Sequence, residues 1–165
     1  MRIFFDTEFN GFHASSVLIS IGLVSESGRE CYVELSPRGL HLDGAIELVI
    51  KRVVSQFGKV PGACVSDRIE MSDRVTDFLK SFSGPLVLCY DYKLDWHHIE
   101  TLVAHDRLLM SRIQHCQIAA DVSSDVSRAA GADALAAVAY RGIGEFHALA
   151  DALALRAAWL ARPTA

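Results

Sequence analysis

The sequence is poor in cysteine, in long apolar runs and in positive charge, and each shortage removes a class of protein. Its four cysteines, Cys31, Cys64, Cys89 and Cys116, are widely spaced and form no CxxC pair. That sets aside a zinc site or disulfide frame and points to free thiols in a reducing compartment. No stretch approaches the roughly 18 apolar residues of a membrane span. The first residues also lack the basic, apolar and small-residue zones of a signal peptide, so a cytoplasmic protein without a membrane partner is expected. A net charge of −4 and a pI near 5.9 argue against a broad basic face for nucleic acid. They leave room for a small site that reaches nucleic acid through metal ions. Repeats, low-complexity tracts and linkers are absent. With 51% apolar and 22% charged residues, the 165 residues suit one domain, residues 1–165, around one core.

What is present begins at once, in MRIFFDTEF at Met1 to Phe9. Ile3, Phe4 and Phe5 make a strand-prone apolar run, and Asp6 and Glu8 follow inside it. Alternate residues of a strand share a face, so the two carboxylates point the same way, about 7 Å apart, and Thr7 points the other. Like charges on a strand that otherwise reads as buried are costly unless a divalent cation, a basic partner or a proton neutralises them. An exposed strand end would also accommodate them.

A turn through Asn10, Gly11 and His13 leads to a β-branched run at Ser16 to Val24, and a Ser-Gly turn leads to a third strand at Glu30 to Leu35. Pro37 and Gly39 stop the sheet. Ile46, Leu48, Val49, Ile50, Val53, Val54 and Phe57 predict a helix over Asp43 to Phe57 with Asp43 as its cap. Gly58 to Asp67 reads as a loop. A second helix is expected over Glu70 to Phe82 with Ser72 as N-cap, then a strand at Leu86 to Tyr90 and a helix from Leu94 to His105. The pattern of Arg107 to Ile118 does not decide between states. Asp121 to Ser127 reads as a turn, and helices are expected over Ala132 to Ala139 and Phe146 to Ala161. Strands first, then helices alternating with strands, predict an α/β fold: a mixed central sheet, part antiparallel meander and part parallel, flanked by helices.

Carboxylates recur at three separated places: Asp6 and Glu8, Asp95 at a helix start in LCYDYKLDWHH, and Asp151 in EFHALADAL. Helical i, i+4 spacing would put His147 beside Asp151. Four carboxylates suit two hard divalent ions, which can clamp a phosphodiester undergoing hydrolysis while a histidine takes the proton of the attacking water. Each residue also has a plainer role open to it: a first-turn acid for Asp95, a helix histidine for His147, a solvated acid for Asp151.

The order of these pieces resembles the DEDD superfamily of 3′→5′ exonucleases. DTEF matches its first motif, VLCYDYKLD its second with Asp95 in the metal-ligand place, and HALAD its third. The small size and immediate MRIFFDTEF start look most like the small bacterial ribonuclease AS type. The resemblance implies a ribonuclease H-like fold and two Mg²⁺ or Mn²⁺ ions on Asp6, Glu8, Asp95 and Asp151, with His147 as general base. The implied substrate is the 3′ end of single-stranded RNA, or of DNA, with RNA the leading expectation; it is released as nucleoside 5′-monophosphates, and a homodimer is expected by analogy. Phe9 is a candidate to stack on the terminal base, Trp96 and His98 are candidates to line the cleft, and Lys93, Arg141 and Arg156 are candidates for phosphate. The sequence departs from the pattern at one point. Three residues separate His147 from Asp151 where the histidine branch has four, and Phe146 falls at the histidine's place. That spacing favours a second account, a catalytically weak relative that binds nucleotide, nucleic acid or protein. A third is a carboxylate cluster with no metal.

Overall fold

The computed structural model describes residues 1–11, 15–36, 47 and 49–163. The expected turn residue His13, the sheet-stopping Pro37 and Gly39, and Asp43, Ile46 and Leu48 of the expected first helix lie outside them. The opening run forms β1 (Arg2–Phe9), followed by β2 (Leu18–Ser25) and β3 (Glu30–Leu35). The three make an antiparallel meander in which Asp6 lies opposite Gly22, Gly22 opposite Tyr32, and Glu8 opposite Ser20. Residues 49–56 wind as a π-helical turn, Val49–Val53, and a 3₁₀ turn, Val54–Gln56, rather than a regular α-helix. Val49 and Val53 are buried against Ile19, so the apolar stripe does its packing in a looser coil.

The expected loop after residue 57 contains a two-residue strand, β4 (Cys64–Val65), parallel to β3. Helix α1 (Arg68–Lys80) starts before the expected Glu70 because Asp67, not Ser72, caps it, accepting from the Ile69 and Glu70 amides. Ser72 lies inside the helix and donates to the Leu102 carbonyl at 2.5 Å. Strand β5 (Leu86–Tyr90) and helix α2 (Lys93–Val103) follow the sequence pattern closely. The segment that the pattern left undecided becomes a short helix, α3 (Arg107–Met110), and a strand, β6 (Ile113–Gln117). Helix α4 (Asp125–Val138) takes in the end of the expected turn because Ser124 caps it through the Ser127 amide. Helix α5 (Ala148–Ala161) closes the described chain.

The strand order is β4-β3-β2-β1-β5-β6, with β5 parallel to β1 and β6 parallel to β5. This is an α/β fold with a six-stranded mixed sheet flanked by helices. Strand β1 is central and buried on both faces, which is why its apolar residues run without alternation. Ile3 and Phe5 join Met71, Val75 and Leu79 of α1 and Ile99 and Val103 of α2. Phe4 turns to the other face, against Leu155 and Trp159 of α5. Burying each of these side chains contributes roughly 1.5–3 kcal/mol. Among the described residues no helix is long and apolar enough to cross a membrane.

One contact sets where α5 lies. A Cβ on Gly22 would sit 2.4 Å from the Ala148 carbonyl carbon and the Leu149 nitrogen, so only glycine lets the helix start rest directly on β2. Because Gly22 pairs with Asp6, the first turn of α5 is delivered over the acidic end of β1. Gly22→Ala is therefore expected to push α5 off the sheet. Urea unfolding should show a loss of at least about 2 kcal/mol, in the range for overpacking against rigid neighbours.

Candidate metal centre

Asp6 and Glu8 leave β1 on the face that α5 covers. Asp151 comes down on them from the first turn of α5, and Asp95 comes in from the first turn of α2 beyond the end of β5. Two trios of carboxylates result, Asp6 with Glu8 and Asp151, and Asp6 with Asp91 and Asp95. Within each trio one oxygen per residue lies within 4.8 Å of the others. Asp6 belongs to both. A hollow of about 190 Å³ opens on this cluster, walled by the rings of Phe9, Tyr92 and Phe146.

Among the described residues that line the hollow there is no lysine or arginine to offset the carboxylates. Withdrawal from water, then repulsion from Asp95, Asp151 and Glu8, holds the Asp6 carboxyl well above the usual carboxylate range. Burial first, and the charges of Asp151 and Asp95 next, push Glu8 up to about 8. Asp95 and Asp151 rise to about 7, each chiefly through burial. Asp95 is held in place from both sides: its Oδ1 accepts the Thr7 hydroxyl at 2.6 Å and its Oδ2 accepts the Tyr92 amide at 3.2 Å. Thr7 points away from Asp6 and Glu8 along β1, yet it secures the third acid of the site. An all-oxygen, uncompensated and oriented donor set fits hard divalent cations such as Mg²⁺ or Mn²⁺.

The structure brings Asp6, Glu8, Asp95, Asp151 and Phe9 together and keeps the other candidates apart. His147 is not on the helical face of Asp151. It is the N-cap of α5, with extended φ −123° and ψ 110°, so the i, i+4 rule for helical residues does not apply to it. Its ring stacks on Tyr32 at 4.3 Å, 2% exposed, and neither ring nitrogen meets a hydrogen-bond partner among the described residues. Burial there lowers its pKa to about 4. The residue before it, Phe146, adopts a left-handed φ of 67° and lines the carboxylate hollow instead. Gln56 clamps this bend, donating to the Glu145 carbonyl and accepting from the Gly144 amide.

His98 lies behind the hollow rather than in it, buried with its ring 5.2 Å from Phe9 and its Nε2 3.2 Å from the Ser16 hydroxyl. Trp96 stacks on His115 at 4.2 Å and packs on the main core. Arg141 pairs with Glu30 at 2.9 Å, and Arg156 donates to the Glu26 carbonyl. Sequence reasoning missed Thr7, Tyr92 and Phe146 as site residues and passed over Asp91 as a ligand. The second acid in YDYKLD was the available signal for Asp91, and the position before the helix start was the signal for Tyr92.

Two outcomes follow from this geometry. The raised carboxyl groups bind protons in the folded protein that the unfolded chain has already lost near neutral pH. Their contribution to stability is therefore lost as pH rises through about 7 and 8. The two histidines with lowered pKa are neutral throughout that window. Metal-free protein should show a falling Tm between pH 6.5 and 8.5, and millimolar Mn²⁺ should raise Tm more at pH 8.5 than at pH 6.5. An unmoved midpoint at both pH values would support a cluster that holds no metal. Thr7→Val should weaken Mn²⁺ binding about 10–100-fold by calorimetry, the usual effect of removing the partner that orients a ligand. No family model matches the chain, and a search of curated proteins returns no match.

Proposed function

We propose that this chain is a metal-dependent phosphodiesterase that removes nucleotides from the 3′ ends of single-stranded nucleic acid, RNA rather than DNA. The observation that carries the reading is Asp6, one carboxylate common to two acidic trios at the end of a central strand. The meander beside two parallel strands, with β1 in the middle, is compatible with a ribonuclease H-like scaffold and supports the resemblance to the DEDD exonucleases. Asp6, Glu8 and Asp151 would hold one Mg²⁺ or Mn²⁺, and Asp6, Asp91 and Asp95 the second. When bound, such a pair polarises the phosphoryl group and neutralises charge on the attacking and leaving oxygens. Thr7 and the Tyr92 amide keep Asp95 aimed at the site. Phe9, backed by His98, and Tyr92 offer aromatic surfaces to the terminal nucleoside. The acidic net charge suits a short end held at one site better than a duplex held along a basic face.

The position of His147 favours a second reading, a protein of the same fold that binds nucleotide or nucleic acid and turns it over weakly. Among the described residues that line the carboxylate hollow there is no histidine. Loss of a general base commonly lowers rates about 10²–10⁴-fold. Both readings are separated by release of nucleoside 5′-monophosphate from 5′-labelled single-stranded RNA with Mn²⁺. An exonuclease gives slow release that Asp6→Ala abolishes, and Phe146→His raises the rate about tenfold or more while His147→Ala changes it little. Histidine also tolerates the left-handed backbone at 146 better than phenylalanine does. Absence of product from wild type and from Phe146→His alike would leave the binding protein as the function.

A further inference from the structure

A second hollow also reaches the carboxylates. It has a volume of about 460 Å³, runs between α4 and α5, and shares Asp6 and Asp151 with the aromatic hollow, adding Asp91. The acidic cluster is thus the junction of two unlike spaces. The smaller is lined by Phe9, Tyr92 and Phe146. The larger follows α5 from Asp151 to Ala158, about 10 Å by helical rise, within the size range of sites that hold nucleotide-sized ligands.

Its walls are built low. Gly131 lets α4 pack directly on Ala154 and Ala158 of α5 beneath the groove, Ala132 and Ala154 keep its floor shallow, and Val122, Leu135 and Leu155 give it apolar sides. Arg128 stands at the rim as a cation beside three acids. It pairs with Asp125, itself 94% exposed, and donates to the Ser123 carbonyl. A pair so open to water holds its partners weakly, which leaves the guanidinium free to turn to a phosphate.

We propose that this groove carries the nucleotide on the 5′ side of the scissile phosphate, so that single-stranded RNA enters along α4 and α5 and only its last nucleoside passes the carboxylates into the aromatic hollow. The assignment rests on the phosphodiesterase reading. It explains why two spaces of different size and lining converge on one acidic cluster. It gives Arg128 the phosphate preceding the cleaved one, and it makes the enzyme sensitive to substrate length.

The test compares two substrates. One is a five-nucleotide RNA carrying a 5′ fluorophore; the other is the p-nitrophenyl ester of thymidine 5′-monophosphate, which has no nucleotide on the 5′ side. Ala132→Trp fills the groove from an exposed helix position, and Arg128→Glu reverses the rim charge. Each is expected to lower kcat/KM for the RNA about tenfold or more relative to kcat/KM for the ester. Each should also weaken RNA binding at least about fivefold by fluorescence anisotropy with Ca²⁺ in place of Mn²⁺. Ala137→Trp, an exposed α4 position outside the groove, should move neither quantity. Ester and RNA both cleaved, with a ratio that the two groove variants leave unchanged, overturns the groove and leaves the phosphodiesterase standing. Neither substrate cleaved by wild type defeats the phosphodiesterase reading, and anisotropy then decides alone. RNA binding weakened by both variants then supports the groove as the surface that holds the single strand, without its place relative to a cleaved phosphate, and binding that is absent or indifferent to them overturns it.

Discussion

Negative charge gathered at the end of a buried strand is the constraint on which this structure turns. Asp6 and Glu8 must share a face because β1 is extended, and they are held half-buried because β1 is central, with β2 on one side and β5 on the other. The fold then adds acids instead of bases. Asp95 arrives on α2 and Asp151 on α5, and the carboxyl groups are driven to bind protons near neutral pH. An arrangement that raises the cost of every member of a cluster is poorly explained by stability alone.

Backbone packing supplies the precision. The missing Cβ of Gly22 lets α5 begin against β2, and the alanines that dominate its inner face, such as Ala148, Ala150 and Ala152, keep it there. That close seat brings Asp151 to Asp6. On the opposite side the Thr7 hydroxyl, reaching from the far face of the same strand, fixes Asp95. Adjacent residues of β1 thus serve one site by different means, two as candidate ligands and one as an anchor.

The segment before α5 shows how a single dihedral angle chooses between neighbours. Phe146 takes a left-handed conformation, unusual for an aromatic residue and costing of order 1–3 kcal/mol. That bend leaves Phe146 at the wall of the carboxylate hollow, its ring packed against the Ile19, Val49 and Val53 cluster, and turns the imidazole of His147 into the core against Tyr32. Among the described residues the hollow is therefore aromatic on the side where α5 begins. Its neighbour along α4 and α5 is lined by small residues, so the two approaches to the acidic cluster differ in both size and chemistry.

Strand order along the chain, the alternation at Asp6 and Glu8, the strands at Glu30–Leu35 and Leu86–Tyr90 and the acidic start of α2 were legible in the residues themselves, whereas α5 begins at Ala148 and not at the expected Phe146. They depend on periodicities of two and of 3.6 and on local capping, which neighbouring residues dictate. Other features were not. Residues 49–56 carry a helical stripe yet coil irregularly against Ile19, and Asp67 outcompetes Ser72 as a cap because its carboxylate reaches two free amides. Ile113–Gln117 becomes a strand because β5 offers it an edge. Sequence by itself determined that acids would lie at three points on an α/β scaffold. Only tertiary structure decided that Asp6 would be shared by two trios, that Asp91 would join and that His147 would turn away, because those outcomes depend on which backbones can approach and on one bend held from a distant residue, Gln56.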